Sequence, residues 1–363
     1  MTGRVAGGEC VPFFVRASDK AMSRTIGLTY NLKTEYVFTP GDPQDANAEW
    51  DHPDTVAMIE RAIQSGGHCV VRIGNATRLL ETWEQLHADL VFNISEGTGG
   101  RNRESQVPII LEMLRIPYVG SDGLTLGLTL DKILTKKLLI AERIPTPRFI
   151  EIKHPDDPVD LGRVTLPAIV KPRHEGTSKG LNDASVVHNA DDLRRQARWV
   201  IETYRQPALV EEFIDGSEFT VAILGNEEPE ILPIVQIRIQ GKLDLGGLFY
   251  TFSRVRENSD LDYVIPAAIP DTLAARIKDV ALRTYQAVEC RDFGRVDVRV
   301  NRQGQPYVLE INPLPSLAAA DVFNLLAKHL GSNYDAMINR ILDYALSRHG
   351  LTKETAPSLT ASR

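Results

Sequence analysis

Residues 294–312 constrain the fold more than any other stretch: Gly-Arg-Val-Asp-Val-Arg-Val, then Asn-Arg-Gln-Gly-Gln-Pro, then Tyr-Val-Leu-Glu-Ile-Asn. Apolar and polar residues alternate on both sides of Gln303-Gly304, which predicts two antiparallel strands joined by a two-residue turn. Side chains alternate faces along a strand, so Arg295 and Asp297 share one face of the first strand, and Glu310 and Asn312 share one face of the second. With that turn, Asp297 stands opposite Glu310 and Arg295 opposite Asn312. Val296, Val298, Leu309 and Ile311 take the other face. Two facing carboxylates repel each other, and two readings stay open. Either a hard divalent cation is held by oxygen ligands, or this is a solvated face with an Arg–Asp surface pair.

The rest of the chain narrows the function classes. Its 363 residues, 43% apolar and 25% charged, suit a globular protein of two or three domains. A net charge of −7 argues against a nucleic-acid binder, which would carry a basic stripe. The three cysteines, Cys10, Cys69 and Cys290, have no metal-ligand spacing and fit a reducing compartment. No apolar run approaches the roughly 18 residues of a membrane span. Val11-Pro-Phe-Phe-Val15 lacks a following small-residue cleavage site. A cytoplasmic location is therefore expected, with no membrane partner.

Residues 1–23 show no clear period and read as a loose tail, with Met22 as an alternative start. Strands at 25–30, 68–73 and 89–94 then alternate with helices at 54–65, 78–86 and 106–114, ahead of an edge strand at 116–121. This predicts an N-terminal parallel α/β domain over 24–121. Past the third strand, Glu96-Gly-Thr-Gly-Gly-Arg-Asn-Arg-Glu104 lies where open sheets bind ligands, although the glycines would equally serve a plain turn. One helix is expected over 125–142, stopped by Pro145 and Pro147. A central unit over 122–206 holds a strand at 166–172, a glycine- and hydroxyl-rich loop at 173–180, and a helix at 191–203. That loop lacks the Walker spacing, yet its backbone N–H groups suit a phosphate. Lys171 in an apolar strand calls for an anionic partner, unless it simply faces solvent. Glu211 likewise interrupts an apolar strand. A third unit over 207–350 carries two strands around Asp215-Gly216, the segment 249–256, a helix at 272–288, the opening hairpin and a last helix at 335–346. Residues 351–363 read as a disordered tail.

Across residues 90–346 the chain resembles the ATP-grasp superfamily, and within it the D-alanine–D-alanine ligases. The resemblance rests on six motifs in order. They are Ile-Pro-Tyr-Val-Gly-Ser-Asp (116–122), Asp131-Lys132, Pro-Ala-Ile-Val-Lys-Pro with Glu-Gly-Thr-Ser (167–178), Val-Glu-Glu-Phe-Ile with Gly-Ser-Glu-Phe-Thr-Val (210–221), Gly-Arg-Val-Asp-Val (294–298) and Leu-Glu-Ile-Asn (309–312). It implies an α/β fold, α+β overall, in which two α+β subdomains clamp ATP behind the N-terminal domain. Lys132 and Lys171 look like cations on the ATP phosphates. Glu175 and Gly176 begin the mobile loop that would cover them, with Thr177 and Ser178 as its hydroxyls. Glu211, the Glu212–Phe213–Ile214 backbone and Glu218 look like adenine and ribose contacts. Asp297, Glu310 and Asn312 look like ligands of Mg²⁺, two ions being expected with Mn²⁺ as a substitute, and Arg295 like the cation at the developing oxyanion. The implied reaction joins a small carboxylate to a small amine through an acyl phosphate.

The sequence departs from the family pattern at both substrate ends. Leu28-Thr-Tyr-Asn-Leu-Lys33 lacks the Glu-His pair usual after the first strand, and Gly100-Arg-Asn-Arg103 replaces an acidic loop. Glu96, Arg101 and Arg103 are therefore candidate contacts for the carboxylate donor, the arginines favouring an acidic or amino-lacking one. The family's Lys-Tyr pair is missing, leaving Arg254 and Arg256 as candidate phosphate contacts. Beyond Asn312, Ser316 and Asp321 stand at the second substrate's end. Alternatives are an authentic D-alanine–D-alanine ligase, a nucleotide-binding module without catalysis, or a phosphotransferase. A homodimer is also an expectation.

Overall fold

The computed structural model describes residues 23–249, 251 and 260–352. The expected N-terminal tail therefore lies outside the described residues except for Ser23, and so does the C-terminal tail except for Leu351 and Thr352. Arg254 and Arg256 also lie outside them.

The first sheet contains β1 (Thr25–Thr29), β2 (Cys69–Gly74), β3 (Leu90–Asn93) and β4 (Tyr118–Val119) in the order β2-β1-β3-β4. Every pairing in it is parallel. Its helices are α1 (Pro53–Ser65), α2 (Ala76–Thr82) and α3 (Gln106–Leu114). Val56, Ile59 and Ile63 bury one stripe of α1, and proline at its first position supplies a helical φ without wasting a donor. This alternation was expected. The single helix at 125–142 was not found as such: α4 (Gly123–Leu130) and α5 (Lys132–Ala141) break at Asp131. Asp131 is extended there, and its carboxylate accepts from Leu134 N at 3.1 Å and from Arg173 at 2.7 and 2.5 Å. Capping and a bidentate arginine outweigh one unbroken ladder.

The second sheet, in the order β5-β8-β6-β7, contains β5 (Phe149–Ile152), β6 (Ala168–Pro172), β7 (Val186–Val187) and β8 (Ala208–Glu212). The helix α6 (Ala190–Tyr204) packs against it through Leu193, Ala197 and Val200. The third sheet contains β9 (Gly216–Leu224), β10 (Glu230–Ile231), β11 (Val235–Ile239), β12 (Leu261–Val264), β13 (Phe293–Asn301) and β14 (Pro306–Asn312). Its order is β12-β11-β9-β13-β14, with β10 on β9. The expected strands flank Asp215-Gly216, but β8 and β9 belong to different sheets. The change of sheet thus falls at 213–215, and a boundary at 206/207 would cut β8 from its sheet. Gly216 is required at this crossing, since its φ is +145° and a Cβ would stand 2.1 Å from Val300 O.

The helix α7 (Asp271–Ala287) covers the third sheet, and α8 (Val322–His329) and α9 (Tyr334–Arg348) close the chain. The sequence reading had no element at α8. Its Phe323 and Leu326, with Ile338 and Ile341 of α9, share one core with Ile26, Leu28, Ile59 and Phe92. The N-terminal sheet is therefore packed against the C-terminal helices. Among the described residues, no helix is long and apolar enough to cross a membrane.

The hairpin that opened the analysis holds its register by an unexpected route. Arg299 pairs with Tyr307 and Val300 with Pro306, so the turn spans Arg302, Gln303 and Gly304, three residues rather than two. A bulge at Leu309 then restores the pairing of Asp297 with Glu310 and Arg295 with Asn312. As a consequence Val308, not Leu309, is buried with Val296, Val298 and Ile311, while Leu309 lines a cavity.

Candidate active site

A cavity of about 460 Å³ is lined by strand residues of the second and third sheets and by the segment 48–52, Glu96 and Glu104 of the first domain. On its floor, Arg295 donates to Asp297 at 3.2 and 3.1 Å, and the Asn312 amide donates to the same carboxylate at 3.1 Å. Burial pushes the Asp297 carboxyl up, against Arg295 and aided by the charge of Glu310. Partial burial works against charge on Glu310 too, yet Lys132 and Lys171 hold it down at about 2. Asp297, Glu310 and Asn312 thus present hard oxygen donors to one space, with Arg295 countering the first carboxylate and Lys132 and Lys171 the second. Such a set can hold a hard divalent cation, which takes one or two carboxylates when substrate phosphates complete its shell. Among the described residues, no group of three or more His, Cys, Asp or Glu converges as a complete metal cage.

The expected phosphate cations come from separate elements. Lys132, the first residue of α5, lies 3.2 Å from Glu310 and donates to Glu175 O at 2.5 Å. Lys171 on β6 lies 2.5 Å from Glu211, and Lys136 on α5 lies 2.7 Å from the other oxygen of Glu211. The anionic partner that Lys171 called for is therefore within the protein. Burial works against charge on all three, and their mutual attraction raises Lys171 and lowers Glu211. Glu211, expected near adenine or ribose, instead spends its carboxylate on two lysines. Glu218 lies 3.6 Å from Arg299, whose guanidinium stacks 4.6 Å from the Phe213 ring centroid. Burial raises the Glu218 carboxyl to about 7. Glu212, Phe213 and Ile214 complete this wall.

Glu175, Gly176, Thr177 and Ser178 overhang the cavity. Thr177 and Ser178 both have left-handed backbones, at φ 49° and 56°. Two adjacent non-glycine residues held in that region store strain of a kind that clusters at functional sites.

At the substrate end, Glu96, Ser316 and Asp321 line the cavity, the serine donating to Asp321 at 2.5 Å. Arg101 and Arg103 do not line it. Arg103 is buried, with its guanidinium on His174 O at 2.8 Å and Glu49 at 2.6 Å. The Arg101 side chain is 62% exposed and 3.9 Å from Asp131. The expected arginine subsite is therefore absent, because these guanidiniums face away into structural and surface ion pairs. The wall there is acidic instead. Asp51, Glu96, Glu104 and Asp321 line it beside Lys33, and none of the four carboxylates makes an ion pair among the described residues. Burial raises all four, Asp51 and Glu104 to about 7. Lys33, Glu49, Asp51 and Lys136 were not among the expected site residues, and Glu104 was expected only as the end of the loop that opens at Glu96. No periodicity marks the stretches that carry the first three, and helical spacing alone does not set Lys136 apart from its neighbouring lysines.

The second and third sheets close on one cleft beside the loops of the first domain, with two lysines from different elements and a strained loop above facing carboxylates, and the fold is that of the ATP-grasp proteins. Residues 140–343 match the family described as D-ala D-ala ligase C-terminus. The chain belongs to the D-alanine–D-alanine ligase family, and so to the ATP-dependent ligases that form C–N bonds. It is 32% identical to the D-alanine–D-alanine ligase of Carboxydothermus hydrogenoformans, over 78% of this chain and 90% of that protein. It is 36% identical to the uncharacterized protein y4sG of Sinorhizobium fredii, over 83% of this chain and 90% of that one. The crystal structure of the Bacillus anthracis D-alanine–D-alanine ligase complexed with ATP has the same fold, with a TM-score of 0.71 at 24% identity. The match covers 90% of this chain and 99% of the other.

Proposed function

We propose that this ligase joins a small carboxylic acid to an amino-bearing acceptor, with Mg²⁺ as its metal. A carboxylate oxygen of the first substrate attacks the γ-phosphorus of ATP, the bond to the β,γ-bridging oxygen breaks, and ADP leaves. The amine nitrogen then attacks the acyl carbon, the acyl C–O bond breaks, phosphate departs, and the nitrogen gives its surplus proton to solvent. Lys132 and Lys171 offset phosphate charge, the 175–178 loop excludes water, and Arg295 faces the charge that develops on the acyl oxygen. Asp297, Glu310 and Asn312 would hold the Mg²⁺, which supplies charge neutralisation at the phosphates when bound. The observation that carries this reading is the meeting of Lys132, Lys171 and Arg295 with Asp297, Glu310 and Asn312 at one cavity.

The substrates we propose are amino acids, each presenting an ammonium group. The support is the acidic wall of Asp51, Glu96, Glu104 and Asp321, whose partly or fully buried carboxylates a cation would relieve. This replaces the amino-lacking donor expected from Arg101 and Arg103. D-Alanine at both positions is the second reading, favoured by the names of the relatives.

Coupled ADP release with ATP and Mg²⁺, screened across acid and amine pairs including D-alanine alone, tests both. ADP and phosphate formed in equal amounts only when acid and amine are both present would support the ligase reading. An acyl phosphate accumulating without need of an amine would make it a phosphotransferase. Bound nucleotide without any ADP release would make it a binding module.

A further inference from the structure

The connection between β1 and α1, residues 30–52, has no strand and no helix beyond a short 3₁₀ turn at Lys33–Glu35, and runs through turns to a bridge between Leu32 and Asp51. Loops beyond about 12–15 residues without secondary structure are uncommon in compact domains and are usually functional or linkers. Here the connection ends on the phosphate loop. The Gly176 N–H donates to Glu49 at 2.6 Å, and the Gly180 N–H donates to Asp45 at 2.9 Å. These two glycines bracket the left-handed pair Thr177 and Ser178. Both carboxylates are nearly enclosed, with the Glu49 side chain 5% exposed and Asp45 6% exposed.

Each anchor is itself fixed by further groups. Glu49 accepts from Arg103 at 2.6 Å and from Lys179 at 3.2 Å, while Lys179 also reaches Glu175 at 2.5 Å. Asp45 accepts from Tyr204 of α6 at 2.9 and 2.8 Å. A few residues on, the same connection lines the cavity with Trp50, Asp51 and His52. One continuous segment therefore touches the substrate wall and grips both ends of the loop over the phosphates.

We propose that Asp45 and Glu49 are positioning residues that hold the phosphate loop closed and tie its closure to the substrate-side segment 45–52. The proposal rests on the cleft binding ATP and goes beyond it by assigning loop closure to the first domain. Carboxylate hydrogen bonds to backbone N–H are among the stronger ones, and two of them set the loop's end points. Glycine is needed at 180, where φ is +74° and a Cβ would lie 2.4 Å from Pro172.

The test uses the full chain with Mg²⁺ and β,γ-methylene-ATP, and measures trypsin cleavage after Lys179 beside calorimetric nucleotide affinity. The wild-type loop is expected to resist cleavage when nucleotide is bound. Glu49→Ala and Asp45→Asn are expected to be cut there about tenfold faster and to bind nucleotide about tenfold more weakly. Glu49→Gln keeps an acceptor for Gly176 without the charge, and is expected in between. The unfolding midpoint of each variant separates a loosened loop from a loosened fold. Unchanged cleavage and affinity in both folded variants would overturn the proposal. So would tighter nucleotide binding by Glu49→Ala, which would make the carboxylate a competitor for the phosphate. A wild-type chain that bound no nucleotide would instead remove the ATP reading itself.

Discussion

Lys171 and Glu211 form a buried pair 2.5 Å apart, and Lys136 approaches the same carboxylate from the other side at 2.7 Å. Removing one member of such a triad leaves an uncompensated buried charge, which costs about 3–5 kcal/mol. Glu211→Ala strands two lysines and is expected to lose stability in that range by urea denaturation. Lys171→Ala leaves Lys136 on the carboxylate and is expected to lose less stability. Its main effect is expected on nucleotide affinity, read by calorimetry, with only partial rescue by Lys171→Arg. An unchanged affinity for an ATP analogue would remove Lys171 from the phosphate site.

Asp297→Asn and Glu310→Gln each remove a charge from the facing pair. Both are expected to abolish Mg²⁺-dependent ADP release while leaving the circular dichroism spectrum unchanged, since each amide keeps the shape of the carboxylate it replaces. A small gain in melting temperature is expected for Asp297→Asn, whose carboxyl burial pushes up. Near wild-type turnover in both folded variants would exclude them as metal ligands.

That register could be read from alternation alone, but for a reason only half right. The three-residue turn shifts the pairing by one, and the bulge at Leu309 shifts it back. Periodicity reports which face a residue takes and is blind to two compensating irregularities. The break at Asp131 was hidden because its cause, Arg173, is distant in sequence. The segment 45–50 was opaque for a related reason. It buries carboxylates rather than an apolar stripe, so nothing periodic marks it, and its partners at 103, 176 and 180 exist only in the folded chain. The paired strands, and the placing of Lys132 and Lys171 at the cavity, were legible because their signals are local or motif-bound. Of the substrate wall, Glu96 and Asp321 were legible as candidates, whereas Asp51 and Glu104 join them only in the folded chain.

The acidic wall makes stability depend on pH in a defined direction. Burial raises Asp51, Glu104 and Glu218 to about 7 from ordinary values of 3.8 and 4.5. The folded protein therefore keeps protons there that the unfolded chain has already released. Their contribution is complete below the unfolded values and is lost as pH rises through about 7. Burial lowers His68 and His349, so they oppose this trend only below their ordinary 6.5. Between pH 6.5 and 8 the melting temperature of the free protein is expected to fall. Each group contributes at most about 1.4 kcal/mol per pH unit. Glu104→Gln is expected to flatten the slope in calorimetry. A melting temperature that climbs across this window would contradict the burial of these carboxyls.

Arg101 and Arg103, two residues apart, are expected to behave in opposite ways. Arg101 is largely exposed, and its 3.9 Å approach to Asp131 is a surface contact of the kind worth about 0–1 kcal/mol. Arg101→Glu is therefore expected to leave stability and steady-state kinetics within about twofold of wild type, which that energy range allows. Arg103 is buried between Glu49, Glu175 and His174 O, so Arg103→Ala leaves two carboxylates facing each other at the root of the phosphate loop. It is expected to raise KM for ATP about tenfold or more, the size of losing one charged hydrogen bond. Lysine would restore charge without the fork that meets three acceptors, so Arg103→Lys is expected to recover only part of this. Kinetics with ATP varied at saturating acid and amine separate the two residues. A large change in acid-substrate specificity from Arg101→Glu would return that arginine to the donor site and contradict its orientation here.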